Sequence, residues 1–583
     1  MNLHRPSIDI EQQSRDEAPV VTGAEAVVLS LLAEGVDTLF GYPGGAIMPV
    51  YDALHGYRHC LRHILTRHEQ GAIHAAQGYA RAGRKVGVCI ATSGPGATNL
   101  VTGIADAMID STPLVCITGQ VPVHLLGTDA FQETDVINVT SPVCKWNVQV
   151  SRVEDIPAAI ARAFYIARTG RPGPVVVDIT KNAQNAKSAF VYEKCRGLRT
   201  YIPTRTATDT ALDAAAALLA TAERPLVIVG QGVVLSGAEK ALLAFAEKLG
   251  APVAWTLLGL DAFPTSHPLS VGMVGMHGKY GANIKTNECD VLLGVGMRFD
   301  DRVTGTPSTY AAQAKVIHLE IDPAEINKII PAAVPVLGDA RDSLERLLSR
   351  IPSRRFDAWM KEFRECDAIE MKRVIEPELH PEGSDLRMGE VVHLITELCD
   401  GRAVVVSDVG QHQMAAARYS RFEAPNTSIT SGGLGTMGFA LPAATGAAIA
   451  VPDKTVVAII GDGGFQMTMQ ELGTIMQTRA AVKIVILNNS FLGMVRQWQE
   501  LFFDRRYSET VMDNPDFVMI AAAYGIGARR VAERSELMDA LKTMLDHDGP
   551  YLLDVTVEQQ SNVFPMVPSG ASVSDIRLGV DHE

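Results

Sequence analysis

The sequence lacks the features that mark several classes of protein. It has no apolar run of 18 or more residues, so a membrane-spanning helix is not predicted, although 47% of its 583 residues are hydrophobic. None of its eight cysteines forms a CxxC pair, and we expect reduced cysteines in the core. Positive charge is also scarce, since the net charge of −14 argues against binding to nucleic acid or to an anionic membrane. The expected partners are small molecules or proteins.

The first 19 residues give little sign of a targeting segment. They contain acidic residues and no apolar stretch of the kind that secretory signals carry, so neither a signal peptide nor a transit peptide is predicted. We expect a mobile arm here and a cytoplasmic protein.

Alternating strand-like and helix-like segments predict an α/β fold of doubly wound parallel sheets. The length predicts about three or four domains, and the pattern shows no short-period repeat. We place the domains and connections at residues 20–200, 206–350, a linker helix at 351–385, 386–560, and a loosely held tail at 561–583.

The segment from Thr455 to Met494 carries the strongest chemical signal. An apolar run, TVVAII, predicts a buried strand, and the glycines at 461, 463 and 464 predict a tight turn before a helix from Met467 to Gln477. A second apolar run, VKIVIL, ends at two asparagines, so Asp462 and Asn489 follow neighbouring strands at the edge where such sheets bind ligands. Carboxylate and amide oxygens suit Mg²⁺, and the glycines allow backbone N–H groups to approach an anion. The predicted ligand is a metal-bound diphosphate.

The two halves of this segment are informative as a pair. GDG alone is more typical of an ordinary glycine turn with Asp462 as a helix cap. GDG and NN separated by 24 residues, each after a hydrophobic strand, are the signature of thiamine diphosphate (ThDP) enzymes.

A second glycine-rich segment, GGLGTMG at 432–438, contains the pattern of a dinucleotide-binding turn. We reject that interpretation because Asp453, at the spacing of a ribose-binding acid, lies in a turn before a strand rather than at a strand end. The alternative is a loop whose backbone contacts a ring, with Met437 projecting into the site, although a methionine alone is more often core.

Glu69 is the candidate acid for ThDP chemistry. It follows a strand and opens a helix, where a lone glutamate usually only complements the helix dipole, and His68 and His74 do not have zinc-binding spacing. ThDP, however, needs a carboxylate that shares a proton with N1′ of its aminopyrimidine ring. We therefore assign this role to Glu69.

Over nearly its whole length the chain resembles the catalytic subunits of the biosynthetic, FAD-containing acetolactate synthases (acetohydroxyacid synthases). The resemblance rests on FGYPGGAIMPVYDAL, HEQGAIHAAQGYARA, TSGPGATN, GTDAFQETD, RPGPVVVDI, MRFDDRVTG, VGQHQM, GGLGTMGFALPAA, GDGGFQM and LNNSFLGMVRQWQELF. MRFDDRVTG and GMVRQWQ discriminate this family from other ThDP proteins. The resemblance implies pyrimidine-binding, central FAD-associated and diphosphate-binding domains in that order.

The resemblance also implies residue roles. Glu69 would act from the neighbouring subunit, with Gln132 and Lys181 as further catalytic residues near the substrate channel. The Mg²⁺ ligands would be Asp462, Asn489 and the carbonyl of Phe491. Cofactor contacts would come from Gly410, Gln411, His412, Gly435, Met437, Gly463, Gly464 and Met494, with Met437 bending ThDP and Arg171 near FAD. The substrate pocket would use Arg298, Trp498 and Phe131, with Gly119 and Gln120 along the channel.

For Arg298 and Trp498 simpler roles stay open. Arg298 could form a surface ion pair with Asp300 or Asp301, and a lone tryptophan is more often core. FAD rests wholly on the resemblance, because PLVIVGQG lacks a complete dinucleotide motif and the net reaction needs no electron carrier.

The implied activity is a transferase reaction. Pyruvate would be decarboxylated and its two-carbon unit joined to pyruvate or 2-ketobutyrate, giving 2-acetolactate or 2-aceto-2-hydroxybutyrate for branched-chain amino-acid (valine, leucine and isoleucine) biosynthesis. A homodimer or homotetramer with a separate regulatory small subunit is expected. The alternatives are a pyruvate oxidase, a simple decarboxylase and a non-catalytic paralogue.

Overall fold

The computed structural model describes residues 18–203 and 206–580, so residues 1–17 of the expected arm lie outside the described residues. The described chain divides into two compact units. The first comprises the residues up to 202 except 81–84, and the second comprises 81–84 and the remainder.

The first unit contains one parallel six-stranded sheet and one small antiparallel pair. The strands are β1 (Val20–Thr22), β2 (Thr38–Gly41), β3 (Arg62–Leu65), β4 (Gly87–Ala91), β5 (Leu114–Gln120), β6 (Trp146–Val150), β7 (Pro174–Thr180) and β8 (Lys187–Ala189). The large sheet has the order β3-β2-β4-β5-β7-β6, and β1 pairs with β8. Its helices are Gly23–Ala33, Met48–Gly56, Glu69–Gly83, Pro95–Thr98, Val101–Ile109, Val136–Thr140, Ile156–Arg168 and Lys181–Asn185.

The second unit contains two further parallel six-stranded sheets. Its strands are β9 (Pro225–Val229), β10 (Val253–Trp255), β11 (Ser270–Met273), β12 (Val291–Val295), β13 (Lys315–Glu320), β14 (Val334–Leu337), β15 (Val404–Ser407), β16 (Ser428–Thr430), β17 (Val456–Gly461), β18 (Val482–Asn488), β19 (Gly527–Val531) and β20 (Tyr551–Thr556). The sheet orders are β11-β10-β9-β12-β13-β14 and β16-β15-β17-β18-β20-β19.

Helices accompany both sheets of this unit. They are Asp209–Thr221, Gln231–Ser236, Glu239–Leu249, Tyr280–Thr286, Asp301–Thr304, Ala340–Leu348, Asp357–Glu370, Glu376–Leu379, Met388–Leu398, Gln411–Tyr419, Ala440–Ala450, Asp462–Thr468, Leu472–Thr478, Gly493–Phe502, Phe517–Ala523 and Arg534–Asp546, with a π-helical turn at Met371–Ile375.

The central strands explain why the sheets are parallel and covered on both faces. Every residue of β5, β7, β9, β12 and β17 is buried, and these strands are rich in valine, leucine and isoleucine. Such uniformly apolar strands are stable only where helices cover both faces. The predicted α/β fold with three doubly wound sheets is confirmed. Among the described residues, no helix has the length and hydropathy needed to cross a membrane.

Each large sheet has a central point where the strand order reverses. The reversal lies between β2 and β4 in the first unit, and between β9 and β12 and between β15 and β17 in the second. Ligands of open α/β sheets bind in the crevice outside the carboxyl ends of strands at such points.

The turn predicted after β17 is wrong in its details. The helix begins directly at Asp462, includes both following glycines and ends at Thr468, and a second helix starts at Leu472. The N–H groups of this first turn have no intrahelical acceptors and can therefore donate to a ligand.

The expectation of a loosely held tail after residue 560 is also wrong. Met566, Val567 and Val573 are buried, and the backbone N–H of Val567 donates to the Met276 carbonyl at 2.8 Å. The buried guanidinium of Arg496 needs acceptors, and the carbonyl of Ser561 supplies one at 2.8 Å. The segment is therefore packed along the second unit up to the last described residues.

Candidate active site at the β15–β17 crevice

A cavity of about 50 Å³ lies at the carboxyl ends of β15, β17 and β18, next to the reversal of strand order. It brings together many residues that the sequence singles out: Gly410, Gln411, His412, Met437, Asp462, Gly463, Gly464, Asn489, Phe491 and Met494. The two strand ends meet because β17 and β18 pair in register, with Gly461 opposite Leu487.

Asp462 is the acidic group of this cavity. Its side chain is buried, and burial raises the pKa of its carboxyl to about 6 while a hydrogen bond from Asn514 opposes the rise. The Asn514 amide donates to Asp462 Oδ2 at 2.7 Å. Backbone N–H groups, including that of Gly463, also donate to this carboxylate. A buried carboxylate whose donors are all neutral favours a cation as an additional partner.

Asn489 lies on the other strand end and is also buried. Its amide nitrogen lies 3.4 Å from Gln411 Oε1, and its Oδ1 accepts from the backbone N–H of Phe491 at 3.2 Å. These contacts orient the amide with its nitrogen toward Gln411. Ser490, between the two, adopts φ +55°, which reverses the chain and places Phe491 at the cavity wall.

Gly463 lies in the cavity wall at a position with no space for a side chain. A Cβ at this position would lie 2.7 Å from Leu492 Cδ2 and 3.8 Å from Met437 Cε. Only glycine therefore keeps the cavity open beside the backbone N–H groups of the first helical turn.

His412 supplies an unsatisfied polar atom. The ring is buried, its Nε2 has no hydrogen-bond partner, and burial lowers the pKa of the imidazole to about 3. A neutral ring can carry a proton on Nε2 and donate it to an oxygen ligand in the cavity. The ring is packed against Gly410 and Gly461, where an added Cβ would lie 2.7 Å from its Cε1 in each case.

Asp408 is a buried residue of this site that the sequence pattern did not lead us to predict. It follows β15 directly and is fully buried, and burial raises the pKa of its carboxyl to about 6. Its two oxygens accept from the backbone N–H groups of Gly438 and Ala440, each at 2.9 Å. Asp408 thus holds the loop that carries Met437. The signal was present in AVVVSD, a third buried strand ending in an acid.

A hydrogen-bonded chain links the cavity to the segment after β20. Gln411 Nε2 donates to Gln497 Oε1 and to the Ser561 carbonyl, both at 2.9 Å, while Gln497 Nε2 donates to the Val563 carbonyl at 3.1 Å. No sequence pattern indicated this connection, because it joins parts of the chain that are 66 to 150 residues apart.

In the first unit, Glu69 lies at the start of its helix, half-buried. Asn99 Nδ2 donates to Glu69 Oε2 at 3.0 Å, and a Cβ on Gly96 would lie 3.4 Å from Glu69 Oε1. The Gly94–Gly96 segment follows β4, so Glu69 is near the reversal of strand order in this sheet.

Gln132 lies on the other side of the same segment. Its carbonyl oxygen is 2.8 Å from the position of a Cβ on Gly94, and both residues have positive φ. Phe131 beside it is 88% exposed within this chain. Glu133 holds the loop by accepting from the backbone N–H groups of Gly127 and Ala130.

The remaining candidates of the first unit occupy varied positions. Lys181 directly follows β7. Gln120 is the buried last residue of β5, and its Nε2 donates to Asp178 Oδ2 at 3.1 Å. Gly119 is packed against the backbone of Ala46. Arg171 Nε donates to Ser111 Oγ at 2.9 Å.

Three candidates of the second unit lie outside the described lining of the cavity. Arg298 Nη2 is 3.7 Å from Asp300 Oδ2, a loose ion pair, while Asp300 also caps the following helix. Trp498 is 39% exposed on Gly493–Phe502, the helix whose first turn lines the cavity. Gly435 has φ +69°, which suits glycine in the loop before Met437.

Three family models match the chain. They are described as the N-terminal TPP binding domain, the central domain and the C-terminal TPP binding domain of thiamine pyrophosphate enzymes, and they match residues 21–139, 212–347 and 408–555.

Curated relatives match at full length. The chain is 47% identical to the acetolactate synthase isozyme 2 large subunit of Escherichia coli (strain K12), over 95% of this chain and 99% of the relative. It is 46% identical to the acetolactate synthase large subunit of Corynebacterium glutamicum, over 98% and 92%, and 44% identical to that of Lactococcus lactis subsp. lactis, over 96% of both. The chain therefore belongs to the acetolactate synthase large-subunit family of thiamine pyrophosphate enzymes.

Proposed function

We propose that this protein is an acetolactate synthase that decarboxylates pyruvate and joins the two-carbon unit to a second 2-ketoacid. The observation that carries the proposal is the β15–β17 cavity, where Asp462, Asn489 and the glycine backbone converge in a chain of this family. The products would be 2-acetolactate and, from 2-ketobutyrate, 2-aceto-2-hydroxybutyrate, which feed branched-chain amino-acid biosynthesis.

The residues of the cavity fit a magnesium diphosphate. Asp462 and the side chain of Asn489 would bind Mg²⁺ together with the Phe491 carbonyl, a set of hard oxygen donors that leaves positions for phosphate oxygens and water. The backbone of Gly463 and Gly464, which lines the cavity, and the unpartnered Nε2 of His412 support binding of the diphosphate. Gly410, Gln411 and Met494 would complete this end of the site.

ThDP, when bound, supplies the carbon nucleophile and the electron sink for decarboxylation. The protein contributes position and proton control. Met437, held on its loop by Asp408, would fix the bent shape of the cofactor, and Gly435 would accept a hydrogen bond from the amino group of the cofactor. Glu69 would share a proton with N1′ of the pyrimidine ring, and we propose that it does so from the neighbouring subunit of a homodimer or homotetramer.

The substrate residues are proposed on the same basis. Arg298 would bind the carboxylate of the incoming 2-ketoacid, for which the 3.7 Å separation from Asp300 leaves the guanidinium available. Trp498 would shape the pocket for the second substrate. Phe131, Gln132 and Lys181 would line the substrate path beside Gly119 and Gln120.

FAD is proposed as a further bound group. The reversal between β9 and β12 supports it, because a glycine directly follows each strand, Gly230 and Gly296, and Gly232 N donates to the Gly296 carbonyl at 3.0 Å. This glycine-lined crevice outside two strand ends is where α/β sheets bind nucleotides. Arg171 would lie near the flavin.

A separate regulatory small subunit is the proposed protein partner, since the relatives are named as large subunits. The cytoplasmic location expected from the sequence stays a prediction.

The test is product analysis with pyruvate as the sole organic substrate, in an aerated phosphate buffer that contains Mg²⁺, ThDP and FAD. We expect acetolactate. Acetaldehyde would instead indicate a simple decarboxylase, and acetyl phosphate would indicate an oxidase. The absence of turnover would indicate a non-catalytic paralogue. Each of these three results would overturn the proposal.

A further inference from the structure

We infer that Asn514 is a positioning residue of the metal site, which fixes the orientation of the Asp462 carboxylate by bridging the ends of β17 and β18. This inference deepens the proposed function and rests on it, because it assumes that Asp462 binds Mg²⁺.

The bridge is made by both hydrogens of one amide group. Asn514 Nδ2 lies 2.7 Å from Asp462 Oδ2 and 3.1 Å from Asn488 Oδ1. Its own Oδ1 accepts from Gln466 Nε2 at 2.9 Å, and Gln466 belongs to the helix that Asp462 begins. The Asn514 side chain thus contacts both strand ends and the helix between them.

The direction of every hydrogen bond in this network is determined by carboxylates at its two ends. Asp554, on β20, can only accept when ionised, so Asn488 presents Nδ2 to it at 3.0 Å and Oδ1 to Asn514. Asp462 likewise accepts, so Asn514 must present its nitrogen to both partners. The Asn514 amide therefore has one favourable orientation. Its hydrogen bond to Oδ2 restricts rotation of the Asp462 carboxylate.

The backbone around Asn514 supports the third proposed ligand. Leu492 N donates to the Thr510 carbonyl at 2.8 Å, and Met512 N donates to the Ser490 carbonyl at 2.9 Å. These bonds enclose Phe491, whose carbonyl is the proposed backbone ligand. The segment 510–514 therefore holds both sides of the site: Asp462 through a side chain and Phe491 through the main chain.

Residues that orient a metal ligand usually affect metal affinity as well as activity. Their removal typically lowers metal affinity or activity by about 10- to 100-fold. We expect Asn514→Ala to weaken Mg²⁺ binding by about this factor, with ThDP binding restored at saturating Mg²⁺. Asn514→Leu keeps the side-chain volume without the donor, and we expect the same loss. Asp513→Ala, at an exposed neighbour, is the matched control.

The measurement is a titration of the apoenzyme with Mg²⁺ at fixed ThDP, followed by quenching of tryptophan fluorescence. Mg²⁺ affinity of both Asn514 variants equal to that of Asp513→Ala would overturn the inference. Recovery of normal affinity in Asn514→Leu alone would also overturn it, because the role would then be packing.

Asp462→Ala in the same titration separates this inference from the proposed site. If Asp462→Ala loses Mg²⁺-dependent ThDP binding while the Asn514 variants keep it, only the positioning role is wrong. If Asp462→Ala binds Mg²⁺ and ThDP normally, the metal site itself is wrong, and the role of Asn514 is overturned with it.

Discussion

Acidic residues that follow strands directly or within a few positions determine the chemistry available at each crevice of this protein. Asp408 and Asp462 follow β15 and β17 immediately, and Glu69 follows β3 by four residues. Sequence predicted Glu69 and Asp462 because their positions after strands are local features. It did not predict Asn514 or the role of Asp408, because their partners depend on how distant loops pack.

Glu69→Gln tests the proton-sharing role at the residue scale. The amide keeps the size of the side chain and its contact with Asn99 but cannot hold the pyrimidine proton, so we expect ThDP binding to be retained and acetolactate formation to fall by about 10²- to 10⁴-fold. Steady-state kinetics and ThDP titration measure the two effects. Unchanged turnover would refute the role, and Glu193→Gln, an exposed site in the same unit, serves as control.

Asp178 predicts a pH dependence of stability. It is buried with Thr118, Gln120 and Gln149 as donors, and burial raises the pKa of its carboxyl to about 6. Between about pH 4 and 6 the folded state holds a proton that the unfolded state has lost, so this carboxyl stabilises the fold more as the pH falls through that window.

Asp178→Asn cannot take up this proton. The unfolding free energy of wild type relative to that of Asp178→Asn should therefore increase by about 2 kcal/mol from pH 6.5 to pH 4. Calorimetric unfolding across this range measures it. A difference that is independent of pH, or that shrinks as the pH falls, would contradict the assignment.

At the scale of elements, helix Gln411–Tyr419 connects the cavity to a buried ion pair. Its first residues line the cavity, and in its last turn Arg418 pairs with Glu370 and donates to the carbonyls of His277 and Gly278 at 2.9 and 3.0 Å. Both charged side chains are almost completely buried. Composition indicated a surface helix and linker around Glu370, and the buried pair could not be predicted because its members are 48 residues apart.

Arg418→Met should destabilise the protein by about 3–5 kcal/mol, because Glu370 is left buried without its counter-charge. The double variant Arg418→Met/Glu370→Leu should lose less unfolding free energy than the single variant, since no isolated charge remains buried. Urea denaturation of both variants measures the comparison. A double variant less stable than the single one would show that the destabilisation does not come from the uncompensated carboxylate.

Helix Gly493–Phe502 joins the proposed metal site to the proposed substrate pocket. Met494 lines the cavity, while Trp498 is part of the exposed face of the same helix. Trp498→Leu should lower the preference for 2-ketobutyrate over pyruvate by about tenfold, the lower end of the range expected for losing apolar contacts to one methylene. Competition between the two substrates measures the product ratio, with Phe503→Leu as an exposed aromatic control. An unaltered ratio would count against the pocket assignment.

At the scale of the whole molecule, the sheets formed by β2–β7 and by β15–β20 have the same strand order, whereas the sheet formed by β9–β14 has another. The three sheets also differ in the residues that follow their strands. The sequence predicted these sheets because fully buried parallel strands are uniformly apolar and easy to recognise. The details after each strand were less predictable: the helix at Asp462 begins earlier than its glycines indicated, and residues 561–580 are packed rather than loose. Both outcomes depend on long-range contacts.

The central claim is that Asp462 and Asn489 bind one Mg²⁺ that anchors ThDP in the β15–β17 crevice. The most direct test is a crystal structure grown with ThDP and Mn²⁺ in place of Mg²⁺, with anomalous scattering used to locate the metal. The account predicts a metal peak bonded to Asp462, Asn489 and the Phe491 carbonyl, with the diphosphate against Gly463 and Gly464. A metal peak away from these residues, or a diphosphate bound at another crevice, would contradict it.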